Sequence, residues 1–357
     1  MASIPSPSMS FSTEPLVMVE PVGFTGSGSE YFRIWITNTF LSIITLGIYS
    51  AWAKVRRTRY IYGNTRLAGA SFDYHGEPKA ILKGRVAALL LLVAYQVFSE
   101  MDNVVFGLLA LSLVAALPWL IWKSLQFRLY NSSYRGIRFG FGGSAAGAYT
   151  AYLLWPVLSS LTAFLLAPMA HQRIKRFQHG ESRYGASRFH FDAGVRPFYW
   201  LYLKAFLVLV AGMIALGLLF GSVLAAYSSR SGAQPEAFRG ALVFLLALYV
   251  WAMLIYPVFS AMLQNLVWGH TSIGPHRFES RVSPGRVAFI ALTNLLGIIC
   301  TLGLYMPFAT MRMMKYRLES VALLVDGSLD DFVADAQARA GATGEGVADL
   351  LDFDLSL

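Results

Sequence analysis

Charge is scarce in this chain. Only 14% of its 357 residues are Asp, Glu, Lys or Arg, against 56% hydrophobic residues, and the mean hydropathy is +0.52. A soluble domain carries about one quarter charged residues, because a surface facing water needs hydrated groups. The deficit excludes a chain wholly immersed in water and makes lipid the solvent for much of its surface. Cysteine is almost missing as well. Cys300 stands alone, so no disulfide forms within one chain and the redox compartment stays open. Residues 1–29 hold no Lys or Arg and no sustained apolar run. That pattern excludes a secretory signal and leaves the first apolar segment as the expected insertion signal.

Catalytic signatures are also lacking. No Gly-rich loop ends in Lys-Ser or Lys-Thr, and none of His75, His171, His179, His190, His270 or His276 belongs to an HExxH or faces a carboxylate four residues away. No metal, cofactor or enzymatic activity is therefore expected. No Asp, Glu, Lys or Arg lies deep in an apolar segment, which disfavours ion-coupled transport.

What the chain does have is an excess of cations, formally +9. They alternate with apolar spans, so the expected partner is the bilayer with its anionic phospholipids rather than nucleic acid. Seven apolar stretches, at 32–52, 86–98, 104–122, 149–169, 199–227, 241–263 and 287–309, compare with the ~20 residues needed to cross a hydrocarbon core. The second is short and gains length if Lys83 and Arg85 snorkel. Polar turns at 99–103 and 228–239 predict two helical hairpins. The expected organisation is a disordered tail over 1–29, a polytopic domain over 30–330, and a disordered acidic tail over 331–357.

The domain repeats internally. Thr37-Asn38 and Thr45-Leu46-Gly47-Ile48-Tyr49 recur as Thr293-Asn294 and Thr301-Leu302-Gly303-Leu304-Tyr305 at an offset of 256. An offset of 117 carries Arg56, Arg59, Tyr60, Phe72 and Tyr74 onto Arg173, Arg176, Phe177, Phe189 and Phe191. Weaker copies surround Pro118 and Pro257, dividing the domain into units of about 31–143, 149–280 and 287–330. In each copy an apolar helix reaches a Pro (Ala51 in the first) and basic residues at helical spacing follow in the first, third and fifth. Aromatic residues two apart come next, as in Phe72-Asp73-Tyr74, Phe139-Gly140-Phe141 and Phe189-His190-Phe191. Period two predicts a short strand, and one such strand is unstable alone. The fold expected is therefore an all-α polytopic membrane protein whose short cytoplasmic strands pair into a small surface sheet.

The basic elements follow segments one, three, four, six and seven, and the positive-inside rule wants all of them cytoplasmic. Seven plain crossings would violate the rule in one loop. The alternative is that segments one, four and seven re-enter, with breaks at Thr45-Leu46-Gly47, Pro156 to Ser160 and Thr301-Leu302-Gly303. Both topologies remain open at this stage.

The run Trp35-Ile36-Thr37-Asn38 through Thr45-Leu46-Gly47-Ile48-Tyr49-Ser50-Ala51-Trp52-Ala53-Lys54-Val55-Arg56, continuing to Arg59-Tyr60 and Phe72, resembles the YjgN family, also called domain of unknown function 898. The resemblance covers about residues 31–332. The fourth copy departs most, with Met262, Asn265 and His270 where the first has Arg56, Arg59 and Asn64. The resemblance implies a multi-pass protein of the bacterial inner membrane and supplies no activity, substrate or catalytic residue.

Two sets of residues stand out. Asn38 and Asn294 occupy equivalent places inside apolar segments, where a buried amide needs a partner. They either line a polar path or staple segments together. Arg56, Arg59, Arg173, Arg176, Arg312 and Lys315 belong to a basic ring that either orients the protein or grips an anionic ligand such as a phospholipid headgroup. Gly217 and Gly221 form a GxxxG, expected to serve packing within the chain. The expected function is transport or handling of an amphipathic or anionic molecule or lipid. The alternative is a scaffold or regulator that binds a protein partner on the cytoplasmic face.

Overall fold

The computed structural model describes residues 18–99, 103–228 and 234–350. The expected N-terminal tail as far as 17, the acidic tail from 351, and the turn residues 100–102 and 229–233 lie outside the described residues.

The strands form the frame. An extended N-terminal segment supplies β1 (Met18–Pro21) and β2 (Gly23–Phe24). Four β-hairpins share one pattern, a three-residue strand followed by a five-residue strand. They are β3 (Thr65–Leu67) with β4 (Ala70–Tyr74), β5 (Ser132–Tyr134) with β6 (Ile137–Phe141), β7 (Ser182–Tyr184) with β8 (Ser187–Phe191), and β9 (Thr271–Ile273) with β10 (His276–Ser280). The last strand is β11 (Val321–Val325). Two-residue turns join the hairpin strands. Ala68-Gly69 and Arg135-Gly136 have positive φ at both positions (44° and 78°, 47° and 80°), the mirror-image turn whose twist suits a hairpin.

All neighbours are antiparallel. They run β1-β11-β10-β9-β8-β7-β6-β5-β4-β3-β2. The two ends of that order, β1 and β2, are parts of one segment joined by Val22, whose N–H donates to the Val321 carbonyl at 2.9 Å. The sheet thus curls into a nearly closed barrel. This overturns the expectation of an all-α protein with a small surface sheet. The expected strands exist, but they pair around a complete ring, and residues 18–24 complete it.

Alternation fills the barrel. Phe72, Phe139, Phe189 and Phe278 sit at the third position of successive five-residue strands, with neighbouring ring centroids 6.3, 6.5 and 6.2 Å apart. Tyr134 donates its hydroxyl to the Leu67 carbonyl (2.7 Å), and Tyr184 donates to that of Tyr134 (3.1 Å), stitching one hairpin to the next. Burial pushes the Tyr184 hydroxyl up to about 12. Arg66, Arg138, Arg183, Arg188 and Arg277 occupy the opposite parity and are exposed.

Helices leave between paired strands. α1 (Gly28–Ile44) and α2 (Ser50–Gly63) lie between β2 and β3, and α3 (Pro78–Ser99) and α4 (Asn103–Tyr130) between β4 and β5. α5 (Ala145–Tyr149), a single π turn over Thr150–Leu154, α6 (Trp155–Leu161) and α7 (Ala167–Gly180) lie between β6 and β7. α8 (Val195–Ser228) and α9 (Gln234–Trp268) separate β8 from β9, and α10 (Pro284–Cys300) and α11 (Met306–Glu319) separate β10 from β11. The flanking strands pair directly at each excursion, as Tyr74 does with Ser132 and Phe191 with Thr271. Every helical hairpin therefore departs from and returns to the same rim, and all five basic elements share one side.

The segments at 32–52, 149–169 and 287–309 each break into two helices that double back on each other. The Thr-Leu-Gly motif explains how. Thr45 Oγ1 donates to the Leu41 carbonyl (2.7 Å) and accepts from the Tyr49 N–H (2.9 Å), and Thr301 does the same with Gly297 (2.7 Å) and Tyr305 (2.9 Å). One side chain closes the old helix and opens the new one, so the break leaves few backbone groups unsatisfied in an apolar setting. Leu46 and Gly47 (φ 49° and 92°) and Leu302 and Gly303 (φ 50° and 93°) make the left-handed corner. In the middle copy Thr162 bridges Leu158 and Leu166, and the corner falls at Ala163-Phe164, later than the expected Pro156 to Ser160. Pro168 and Pro307 stand in the first turn of α7 and α11, where a missing N–H costs nothing, rather than near the end of the preceding helix. Leu46 and Leu302 at the tips are 94% and 95% exposed, a placement for lipid rather than water.

Among the described residues three helices are long and apolar enough to cross a membrane: Phe106–Tyr130, Val195–Gly221 and Phe238–Trp268. α8 and α9 approach closely at Gly212, where a Cβ would lie 1.9 Å from the Trp251 ring. Gly217 and Gly221 face open space, so the GxxxG is not the packing seam.

The far end of the barrel is covered by α12 (Leu329–Leu350), in the stretch expected to be a flexible tail from 331. Phe332 packs edge-on against His276 (4.8 Å) and beside Tyr184 (6.5 Å), Val333 and Ala336 are buried, and Asp330 pairs with Arg135 at a hairpin turn.

Candidate anion-binding site

The six basic residues singled out by the sequence stand on three separate hairpins. Arg56 and Arg59 lie on α2, where Arg59 Nε donates to the Tyr74 carbonyl at 3.2 Å. Arg312 and Lys315 lie on α11. Arg312 Nη1 donates to Thr293 Oγ1 (2.8 Å) and to Asn294 Oδ1 (3.3 Å), while Lys315 Nζ is 3.8 Å from Glu319. They do not meet at one point. Arg173 and Arg176, both on α7, line a common pocket.

That pocket has a volume of about 520 Å³ and straddles the junction between barrel and helices. Gly147, Thr150, Ala151 and Trp155 form one wall, Arg173, Arg176, Phe177 and Gly180 a second, and Arg188 through Phe191 of β8 the floor. Glu181 is the sole acid among these residues, and Arg188 engages it at 2.5 Å while also donating to the Gly180 carbonyl. Arg173 and Arg176 are left as net positive charge. The Arg173 guanidinium lies over the Trp155 ring, 5.3 Å from its centroid, and its buried Nε has no hydrogen-bond partner among the described residues. Stacking uses the face of the guanidinium and leaves the in-plane N–H donors for an acceptor.

Local structure sets this up. The π turn over Thr150–Leu154 widens the helix directly before Trp155, and such single turns occur often at functional sites. Gly143 and Gly147 admit Phe177, since a Cβ at either would lie 2.8 or 2.7 Å from its ring. Sequence reasoning reached Arg173 and Arg176 and missed Trp155, Arg188 and Glu181. The signal available was alignment: the offset that carries Arg56 to Arg173 carries Asn38 to Trp155, so the middle copy exchanges an amide for an indole.

Of the two asparagines, Asn294 is buried and donates through Nδ2 to the Ala309 carbonyl at 3.0 Å. That bond joins α10 to α11. Asn38 is buried too, with Oδ1 unpartnered.

Comparison with known proteins finds relatives named as inner membrane proteins. Inner membrane protein YjgN of Salmonella typhimurium is 33% identical over 151 residues, which is 40% of this chain and 36% of that protein. Its namesakes in Escherichia coli O157:H7 and Escherichia coli K12 are 33% and 32% identical over 144 residues, 39% of this chain and 35% of theirs. Each match thus spans little more than a third of the relative. No solved structure matches. The model of the family described as bacterial protein of unknown function, DUF898, matches residues 19–350. The chain belongs to this DUF898 family of bacterial proteins, whose function is unknown.

Proposed function

We propose that the chain is a multi-pass protein of the bacterial inner membrane that handles an anionic amphiphile, phospholipid foremost, without catalysing a reaction. In this reading α4, α8 and α9 cross the bilayer, α3 completes its hairpin as a fourth crossing with Lys83 and Arg85 snorkelling to the interface, and the three broken hairpins dip into the leaflet facing the barrel. Lengths support the distinction. Arg59 stands nine residues, roughly 14 Å, beyond the start of α2, close to the ~15 Å of one hydrocarbon leaflet. The barrel then lies in the cytoplasm, where its exposed arginines satisfy the positive-inside rule. Anionic partners are favoured because the rim carries cations at the level of the headgroups.

The observation that carries the reading is the pocket of Arg173, Arg176 and Trp155 at the junction of barrel and helices. An indole and paired guanidiniums at that level suit a charged head attached to an apolar body. The test has two parts. Arg66→Cys, Arg138→Cys, Arg183→Cys and Arg277→Cys, each in a Cys300→Ser background, are labelled in oriented vesicles with an impermeant maleimide. All four are expected to react from one side, and alternation between sides sinks the topology. Lipid retained by the purified protein is then measured, with anionic species expected in excess of their share in the membrane.

A further inference from the structure

We propose that the middle hairpin carries a phosphate-binding site in which Arg173 and Arg176 hold the anion and Trp155 holds Arg173. This deepens the lipid-handling reading and rests on it for the source of the phosphate.

Two equivalent positions separate a structural arginine from a binding one. In the last copy Arg312 is occupied, donating to Asn294 Oδ1 and Thr293 Oγ1. In the middle copy the residue aligned with Asn294 is Trp155, which offers a π face and no acceptor oxygen toward Arg173. Stacking fixes the guanidinium plane without consuming its donors, and Nε is buried with no partner. A buried charged donor left unsatisfied is costly, and an oxygen supplied from outside the chain removes that cost. Arg176 lines the same space, and Glu181 is already engaged by Arg188. No free carboxylate lines the pocket to repel an anion.

The chemistry fits phosphate. Planar guanidiniums match its oxygens in pairs, and two arginines neutralise either the single charge of a phosphodiester or the double charge of a monoester. The pocket lies between the π turn, α7 and β8, at the junction of hairpin and barrel, a place within reach both of a lipid headgroup whose chains lie beside the hairpin and of a soluble phosphate.

The test uses the full chain in detergent, equilibrated with vesicles of equal phosphatidylglycerol and phosphatidylcholine and examined by native mass spectrometry. Arg173→Gln/Arg176→Gln is expected to lose phosphatidylglycerol by about tenfold, the effect of removing two charge-assisted contacts. The charge-matched Arg56→Gln/Arg59→Gln is expected to change retention by less than about twofold, as peripheral charges do. Arg173→Lys keeps the charge and loses the planar fork, so an intermediate loss of about threefold is expected from a chain that still folds. Binding of inorganic phosphate to the wild type, and its displacement of the lipid, then names the source: displacement indicates soluble phosphate, and its failure indicates a headgroup. Equal loss in both charge-matched pairs, or none in the Arg173/Arg176 pair, overturns the site. If the wild type prefers neither lipid, lipid handling fails, and the site stands or falls on whether phosphate binding disappears in Arg173→Gln/Arg176→Gln.

Discussion

Asn294 ties the two halves of a broken helix together: its Nδ2 reaches the Ala309 carbonyl on the returning helix α11 at 3.0 Å, and its Oδ1 accepts from Arg312. Removing the amide takes away the bond that links the two helices and leaves Arg312 without its Asn294 acceptor. Asn294→Leu is expected to lower stability by about 1–2 kcal/mol, the range for hydrogen bonds between apolar helices. Asn38→Leu is expected to cost less, because Asn38 Oδ1 has no partner to lose. Thermal unfolding in detergent compares the two. Equal losses would mean that the staple contributes nothing particular.

How far the sequence reached can be judged from such pairs. The offsets that align Arg56, Arg173 and Arg312 also align Thr45, Thr162 and Thr301, the three threonines that close the helix breaks, so the first and last breaks were legible as a repeat, while the middle one falls at Thr162 rather than at the expected Pro156 to Ser160. The alternation around Phe72, Phe139 and Phe189 disclosed the strands. It could not disclose the ring, because a three- to five-residue strand does not specify its neighbours, and the closing contacts join Met18 to Val325 and Phe24 to Thr65. Residues 18–24 sit in a Ser-, Pro- and Gly-rich setting that reads as a tail. The pocket was half legible. Arginines announce themselves by charge, whereas Trp155 inside an apolar segment looks like ordinary core.

The aromatic interior should carry much of the barrel's stability. Phe139 lies between Phe72, Tyr184 and Phe189, with centroids at 6.3, 5.2 and 6.5 Å. Phe139→Ala is expected to cost about 2–4 kcal/mol, somewhat under a fully enclosed ring because Phe139 is half-buried. Its outward neighbour Arg138 is exposed and lies over the Tyr130 ring at 4.8 Å, so Arg138→Ala is expected to cost less than about 1 kcal/mol. Denaturation midpoints measure both, and a larger loss at Arg138 would mean that the inside and outside of the sheet are misassigned.

His179 gives the protein a sensitivity to acid. It lies in the last turn of α7, between Phe191 and Trp268, each 5.7 Å away, and burial first, then Lys175 and Arg128, push its imidazole down from 6.5 to about 4. The folded state therefore holds fewer protons than the unfolded state between those values. Stability from this group is complete above about pH 6.5 and falls as pH drops toward about 4, by as much as about 3 kcal/mol. His179→Phe keeps the aromatic stack and is expected to flatten that slope. Melting temperatures at pH 7.5, 6 and 5 test this, and an unchanged slope would assign the acid sensitivity elsewhere.

Cys300 reports on the broken tips. It is exposed, it ends α10, and it precedes Thr301 and the almost fully exposed Leu302. Two environments could surround such a thiol, and they differ in what reaches it. A charged maleimide partitions into water and not into hydrocarbon, so a tip lodged among lipid chains keeps its thiol from the reagent although no protein covers it. In native membranes opened to give access to both faces, Cys300 is expected to stay unlabelled, while an added Arg277→Cys on the outer face of the barrel reacts readily. Dissolving the membrane in denaturing detergent should expose both equally. If Cys300 reacted as fast as the barrel cysteine before that step, the tips would lie in water, and the apolar corners at Leu46, Phe164 and Leu302 would need a protein partner in place of lipid.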